Sequence, residues 1–213
     1  MTAVQTRPAN TLTLREVHEL LGLCRGDSLE FEEKLDLPPL TEREIEELTQ
    51  LQELYFSYLA DDTLNEGQVK FLFVSPLLKL AGFLSSDIKI NLEENIADII
   101  VEEEEGQVAI KGRVDLLAIR RGARESFWIL VIETKGGTVA TSLAIAQLLT
   151  YAYKGIKNQE FVWGLATNGE DYQFILLQQG SPITYHYLPK LGLLDSKSIH
   201  RLLQVLKSIR LTL

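Results

Sequence analysis

Phe127-Trp128-Ile129-Leu130-Val131-Ile132-Glu133-Thr134-Lys135 is an apolar run that ends in a carboxylate and an ammonium two residues apart. Its length and its β-branched and aromatic content predict a buried strand over Phe127–Glu133. Side chains alternate along a strand, so Glu133 and Lys135 share one face and Thr134 takes the other. Eighteen positions upstream of Glu133, Gly112-Arg113-Val114-Asp115 heads a second apolar run, Leu116-Leu117-Ala118-Ile119. If the two strands pair, two carboxylates and a lysine converge at one point. Buried charges cost several kcal/mol unless they are paired or hold a metal. A divalent-metal site is one resolution of that cost, and a buried Glu–Lys or Asp–Lys ion pair is the other.

The remaining elements follow from periodicity. Strands are expected at Ile88–Leu92, Ile96–Val101, Val108–Ile119, 161–167, 171–178 and 183–187, with turns at Glu105-Gly106 and Arg121-Gly122. Thr13-x-x-Glu16 and Thr41-x-x-Glu44 read as capping boxes that open helices over about 13–23 and 41–60. The second helix aligns Ile45, Leu48, Leu51, Leu54, Tyr55 and Tyr58 on one stripe. A third helix is expected over about 64–81, divided near Val74 by Pro76 and ended by Gly82. Helices over about 140–155 and from Ser196 onward complete the set, the last with Ile199, Leu202, Leu203, Leu206 and Ile209 on one face. This order predicts an α/β (α+β) fold, a mixed β-sheet flanked by helices. The expected division is a helical N-terminal extension over 1–60 and a main domain over 61–213.

Composition narrows the class. With 213 residues and 46% hydrophobic content, the chain can bury a substantial core. Cys24 is the sole cysteine, which excludes a disulfide framework, and no apolar leader or run of about 20 apolar residues occurs. A cytoplasmic protein without membrane contact is expected. The net charge of −9 is unevenly spread: residues 1–110 carry 8 Lys/Arg against 23 Asp/Glu, and residues 111–213 carry 13 against 7. The half containing the two apolar runs is therefore the basic half, as a phosphate-binding surface requires. Glu102–Glu105 reads as a solvated hairpin end, and His18, His186 and His200 lack ligand spacing.

Gly112-x-x-Asp115, Glu133-x-Lys135 and Gln147-x-x-x-Tyr151, in that order, resemble the PD-(D/E)XK nuclease superfamily, and the last motif resembles its RecB-like branch. Thr63-Leu64-Asn65-Glu66, Val74 to Gly82 and Trp163 to Gly169 are similar to the nuclease domain at the N-terminus of type I restriction motor subunits. The resemblance covers about residues 62–178 and implies a restriction-endonuclease-like fold and metal-dependent DNA hydrolysis. Val114 stands where the family name implies proline.

Under that resemblance Asp115, Glu133, Lys135 and Gln147 are the catalytic residues. Asp115, Glu133, Glu66 and the Thr134 carbonyl would hold Mg²⁺ or Mn²⁺. A divalent ion acidifies water and compensates phosphate charge, and Mg²⁺ takes a few carboxylates rather than a closed cage. Lys135 would orient the attacking water or stabilise developing charge. Glu66 has a competing role as the last residue of a Thr63-x-x-Glu66 capping box, and Glu53 is a weaker candidate. Arg113, Tyr151 and Lys154 are the expected DNA contacts, with Lys111 and Lys157 as further basic candidates. Gly136-Gly137 would admit DNA close to the backbone or form a turn. Gln147 would otherwise border a helix whose face, Leu143, Ala144, Leu148 and Ala152, packs on the sheet.

No Walker A motif occurs, and the chain stops at Leu213 where the type I subunits continue into a motor. A free-standing relative is therefore expected, with a homodimer or a separate motor or specificity subunit as partners besides DNA. The competing function is a nuclease-fold interaction module that binds nucleic acid or protein without cleavage.

Overall fold

The computed structural model describes residues 4–61, 63–103, 106–122 and 127–212. Nine strands form one sheet among these residues: β1 (Val4–Pro8), β2 (Leu23–Arg25), β3 (Ile88–Glu103), β4 (Gly106–Arg120), β5 (Phe127–Thr134), β6 (Phe161–Thr167), β7 (Asp171–Gln178), β8 (Ile183–Tyr187) and β9 (Leu191–Gly192). The path across the sheet is β1-β4-β5-β6-β7-β8-β2, with β3 on β4 and β9 on β7. The expected mixed sheet flanked by helices is what the chain forms. β5 and β6 run parallel and the connection between them holds α5 (Ser142–Ile156), a β-α-β unit that covers one face. The expected turn at Arg121-Gly122 follows the end of β4, with Gly122 at φ 80°; Glu105 of the other expected turn lies outside the described residues.

The two faces of the sheet carry separate cores. On one face, Leu116, Ala118, Leu130, Ile132, Leu165 and Phe174 pack under α2 (Glu42–Asp61), the segment 66–80 and α6 (Ser196–Leu211). On the other, Val114, Leu117, Val131, Val162, Ile175 and Leu177 pack under α5 and α1 (Leu14–Leu21). The α6 stripe Ile199, Leu202, Leu203, Leu206 and Ile209 is fully buried, each side chain contributing roughly 1.5–3 kcal/mol of transfer free energy. Both expected capping boxes form: Thr13 with Glu16, and Thr41 with Glu44. On α2 the buried stripe is narrower than the spacing suggests. Leu48, Leu51 and Tyr55 are buried, while Ile45 and Leu54 remain exposed because α2 lies at the rim of the layer.

Residues 1–60 do more than add helices. β1 pairs parallel with β4, and β2 pairs parallel with β8 at the far end of the sheet. α1 between them packs Val17 and Leu21 into the core beneath α5. Residues 4–25 therefore strap across one face of the sheet. Short polar strands such as Val4–Pro8 carry little local signal, and their pairing is decided by the edges that the rest of the sheet leaves open.

The helix expected over about 64–81 is divided at Val74 as expected, and its first part is itself in two pieces: α3 (Glu66–Gln68), a π-helical stretch over Val69–Val74, and then α4 (Ser75–Leu80). Pro76 accounts for the division. It sits in the first turn of α4, where its missing amide costs nothing, and the widened turn before it absorbs the clash with the preceding residues. No helix among the described residues is long and apolar enough to cross a membrane.

A candidate metal centre between two partner strands

Strand β4 is the axis of the site. β3 runs antiparallel along its whole length, which occupies one edge. The other edge is shared: β1 pairs along Gln107–Lys111, and β5 along Leu116–Arg120. Between them Gly112–Asp115 have no strand partner on that side. Such a break leaves backbone and side chains facing an opening rather than a ladder. A cleft of about 900 Å³ lies at this break, lined among others by Glu66, Lys111, Gly112, Arg113, Asp115, Glu133, Lys135, Gln147 and Tyr151.

Register brings the carboxylates together. Leu116 pairs with Ile132, so the next step of that ladder sets Asp115 across from Glu133. On the opposite edge Leu92 pairs with Leu116 and Glu94 with Val114, which sets Glu93 across from Asp115. Asp115 is clamped by the end of β5: its Oδ2 accepts from the Thr134 amide at 2.7 Å and from the Thr134 hydroxyl at 2.8 Å. Its Oδ1 is left for other partners. Thr134 thus engages the centre through its amide and hydroxyl, donors that the sequence reading did not assign to it.

Glu133 is 1% exposed. Its Oε1 accepts from the Lys135 ammonium at 2.7 Å, and its Oε2 is buried with no hydrogen-bond partner. Burial, reinforced by the charge of Asp115 and opposed by Lys135, pushes the Glu133 carboxyl up to about 8. Lys135 also reaches Gln147 Oε1 at 3.4 Å, and Gln147 Nε2 donates to the Tyr151 hydroxyl at 2.9 Å. Burial drives the Tyr151 phenol up to about 12, so it stays neutral. A hydrogen-bonded line, Glu133–Lys135–Gln147–Tyr151, therefore runs from the end of β5 along α5.

Glu66 does not cap. The capping box of α3 is Asn65 with Gln68, two residues from the one expected, because Asn65 rather than Thr63 is the last extended residue before the helix. The Glu66 carboxylate is free to bond Lys70 Nζ at 3.2 Å, one helical turn on. The Leu64 carbonyl just before it accepts from the Gly137 amide at 2.8 Å. A Cβ on Gly136 would approach that carbonyl to 3.3 Å. Gly136-Gly137 serve this approach, which anchors the start of α3 against the end of β5.

One oxygen from each of Glu66, Glu93 and Asp115 lies within 4.8 Å of the others, and this is the carboxylate triad found among the described residues. Glu133 stands outside it, beside Asp115 on the other strand. The sequence reading had placed Glu133 and omitted Glu93 and Lys70. Lys70 was detectable as the i+4 partner of Glu66; Glu93 becomes visible only through strand register. Glu93 also adopts φ 51°, an uncommon value for a residue with a side chain.

The expected nucleic-acid contacts divide. Arg113 is exposed but ion-paired with Glu93 at 2.9 Å, and Lys154 does not line the cleft. Tyr151 does, with its ring over Gly112. Leu143, expected on the packing face of α5, is 70% exposed at the cleft rim, since α5 turns Ala144, Leu148 and Ala152 inward instead. Lys157 lies over the Tyr153 ring. Trp128 packs as a half-buried core residue against Gly155. His18 and His186 make ordinary hydrogen bonds to the Tyr185 hydroxyl and the Asp27 carbonyl, and Glu53 is exposed on α2.

A Cβ on Gly112 would fall 2.6 Å from the Tyr151 ring and hydroxyl and 2.9 Å from Ala9 Cβ. Gly112→Ala is expected to destabilise the fold by about 1–3 kcal/mol, as overpacking does, and to lower the melting temperature by roughly 2–4 °C per kcal/mol. An unchanged melting curve would show that α5 is not held against β4 by this contact.

Neither a family model nor a curated protein matches the chain. A solved fragment assigned as the HsdR subunit of a type I restriction enzyme from Vibrio vulnificus YJ016 is similar, at 20% identity and a TM-score of 0.40, over 66% of this chain. The match spans 25% of that chain's length.

Proposed function

We propose that this chain hydrolyses phosphodiester bonds of DNA with the help of a divalent cation, Mg²⁺ or Mn²⁺. The observation that carries the reading is Glu133 Oε2, a buried carboxylate oxygen with no partner, placed beside Asp115 in an open cleft. A carboxylate buried in this way is expensive unless a cation or proton completes it. Asp115 and Glu133 would hold the ion, with Glu66 at the rim of the same cleft and Thr134 fixing Asp115 from behind. When bound, such an ion supplies charge compensation for the phosphate and acidifies water at neutral pH.

The chain's own residues define the rest. Thr134 holds Asp115 in one rotamer through two hydrogen bonds, so Oδ1 keeps its direction. Lys135 balances Glu133 and presents an ammonium to the cleft, where it can orient a water or stabilise charge on a phosphate oxygen. Gln147 holds Lys135 toward the cleft and is itself fixed by Tyr151. Lys111 lines the opening and adds positive potential, consistent with the basic second half of the chain. The dry floor formed by Val114, Leu117 and Val131 strengthens these electrostatic terms.

The test is direct. Purified protein should cut plasmid or linear DNA in Mg²⁺ or Mn²⁺ and lose activity on chelation. If DNA of duplex, single-stranded and branched form all survive, the reading fails and a binding module without cleavage takes its place.

A further inference from the structure

The Glu66–Glu93–Asp115 triad already contains a cation. Lys70 Nζ lies 3.2 Å from Glu66 and 3.3 Å from Asp115 Oδ1, and is hydrogen-bonded to Glu93. The three carboxylate oxygens lie within 4.8 Å of one another, about the span of two oxygens on opposite sides of one divalent ion.

Lys70 and Glu133 stand on different sides of Asp115. Glu133 and Lys135 line the large cleft, Lys70 and Glu93 line a second, mostly apolar groove of about 450 Å³ beside Phe71 and Leu92, and Asp115 lines both. β3 supplies Glu93 from one edge of β4 and β5 supplies Glu133 from the other. A cation on the Glu133 side therefore leaves Lys70 in place. Two-metal phosphodiester sites put their ions about 3.5–4 Å apart, and here Asp115 lies between the Glu133 side and the ammonium of Lys70.

We propose that Lys70 occupies a second cation position at this centre, so the protein takes one divalent ion per chain, and that removing the ammonium opens a second divalent site built from Glu66, Glu93 and Asp115. This rests on the reading of Asp115 and Glu133 as a metal pair, but its test separates the two. Lys70 becomes a fixed positive charge on the far side of Asp115, holding three carboxylates in register without a second ion.

The experiment counts Mn²⁺ bound to the full chain, by calorimetric titration and by the loss of the free-ion paramagnetic resonance signal. Wild type is expected to bind one ion and Lys70→Ala two, with Lys70→Ala/Glu93→Gln returning to one. Wild type binding none while Lys70→Ala binds one would retain the Lys70 assignment and overturn the Glu133 site. Two ions in wild type, or no added ion in Lys70→Ala, would overturn the Lys70 assignment. If Lys70→Ala melts below the titration temperature, Lys70→Gln, which is one atom shorter but keeps a hydrogen-bond donor without the charge, is titrated under the same expectations.

Discussion

Glu133→Gln should reduce Mg²⁺-dependent DNA cleavage by roughly 10³-fold or more, the scale on which a member of a cooperating catalytic set is lost. The substitution is nearly isosteric, so packing against Val131 and α5 is retained. It removes a carboxylate whose second oxygen is buried and unpartnered, and leaves Lys135 without its counter-charge. The fold should not suffer. A carboxyl that burial holds up to about 8 is a group the native state tolerates poorly when charged. The neutral amide should melt at or above the wild-type temperature at pH 9. Loss of cleavage together with retained or increased stability distinguishes a functional carboxylate from a structural ion pair. Cleavage within about tenfold of wild type, well short of that scale, would remove Glu133 from the chemistry.

The second large effect is a dependence of stability on pH in the presence of a chelator. The folded-state value for Glu133, about 8, lies above its ordinary value of 4.5. Between the two the native chain binds a proton that the unfolded chain does not. By linkage, stability from this group is complete below about 4.5, declines as pH rises, and is lost once pH passes about 8. At about 1.4 kcal/mol per pKa unit the full loss amounts to a few kcal/mol, or roughly 5–15 °C in melting temperature at this chain length. Groups held low by their partners, such as Glu44 beside Lys207, act in the opposite sense, but their stabilisation is lost only as pH falls below the ordinary carboxylate range. Over pH 5 to 9 it is the difference between wild type and Glu133→Gln that isolates this carboxyl. Melting curves over that range should slope downward for wild type and lose the slope in Glu133→Gln. Added Mg²⁺ should restore stability most at the alkaline end, since the ion competes with the proton. A flat wild-type profile would show that the carboxyl is not held protonated.

Much of this was legible before any coordinates. Apolar runs, continuous or alternating, mark β4, β5, β6, β7 and β8, and the helical stripe after Ser196 marks α6, because burial of one face or of both dictates those patterns locally. The positions of Asp115 at the head of one apolar run, of Glu133 and Lys135 at the end of another, and of Gln147 and Tyr151 one turn apart, are also local facts. What escaped was of two kinds. Val4–Pro8 and Leu23–Arg25 are too short and polar to declare themselves, and they become strands because β4 and β8 offer free edges. Glu93 looks like one surface acid among many in the acidic half.

The sequence by itself determined which charged side chains adjoin apolar runs, since alternation and hydrophobic run length act within a few residues of each other. Only the tertiary structure decided which of those charges meet. Register set Glu93 and Glu133 on either side of Asp115, the Asn65 cap released Glu66, and the packing of the 66–80 segment delivered Lys70 among three carboxylates. Those outcomes depend on contacts between residues far apart in the chain, where a one-residue slip would have turned each carboxylate to the opposite face.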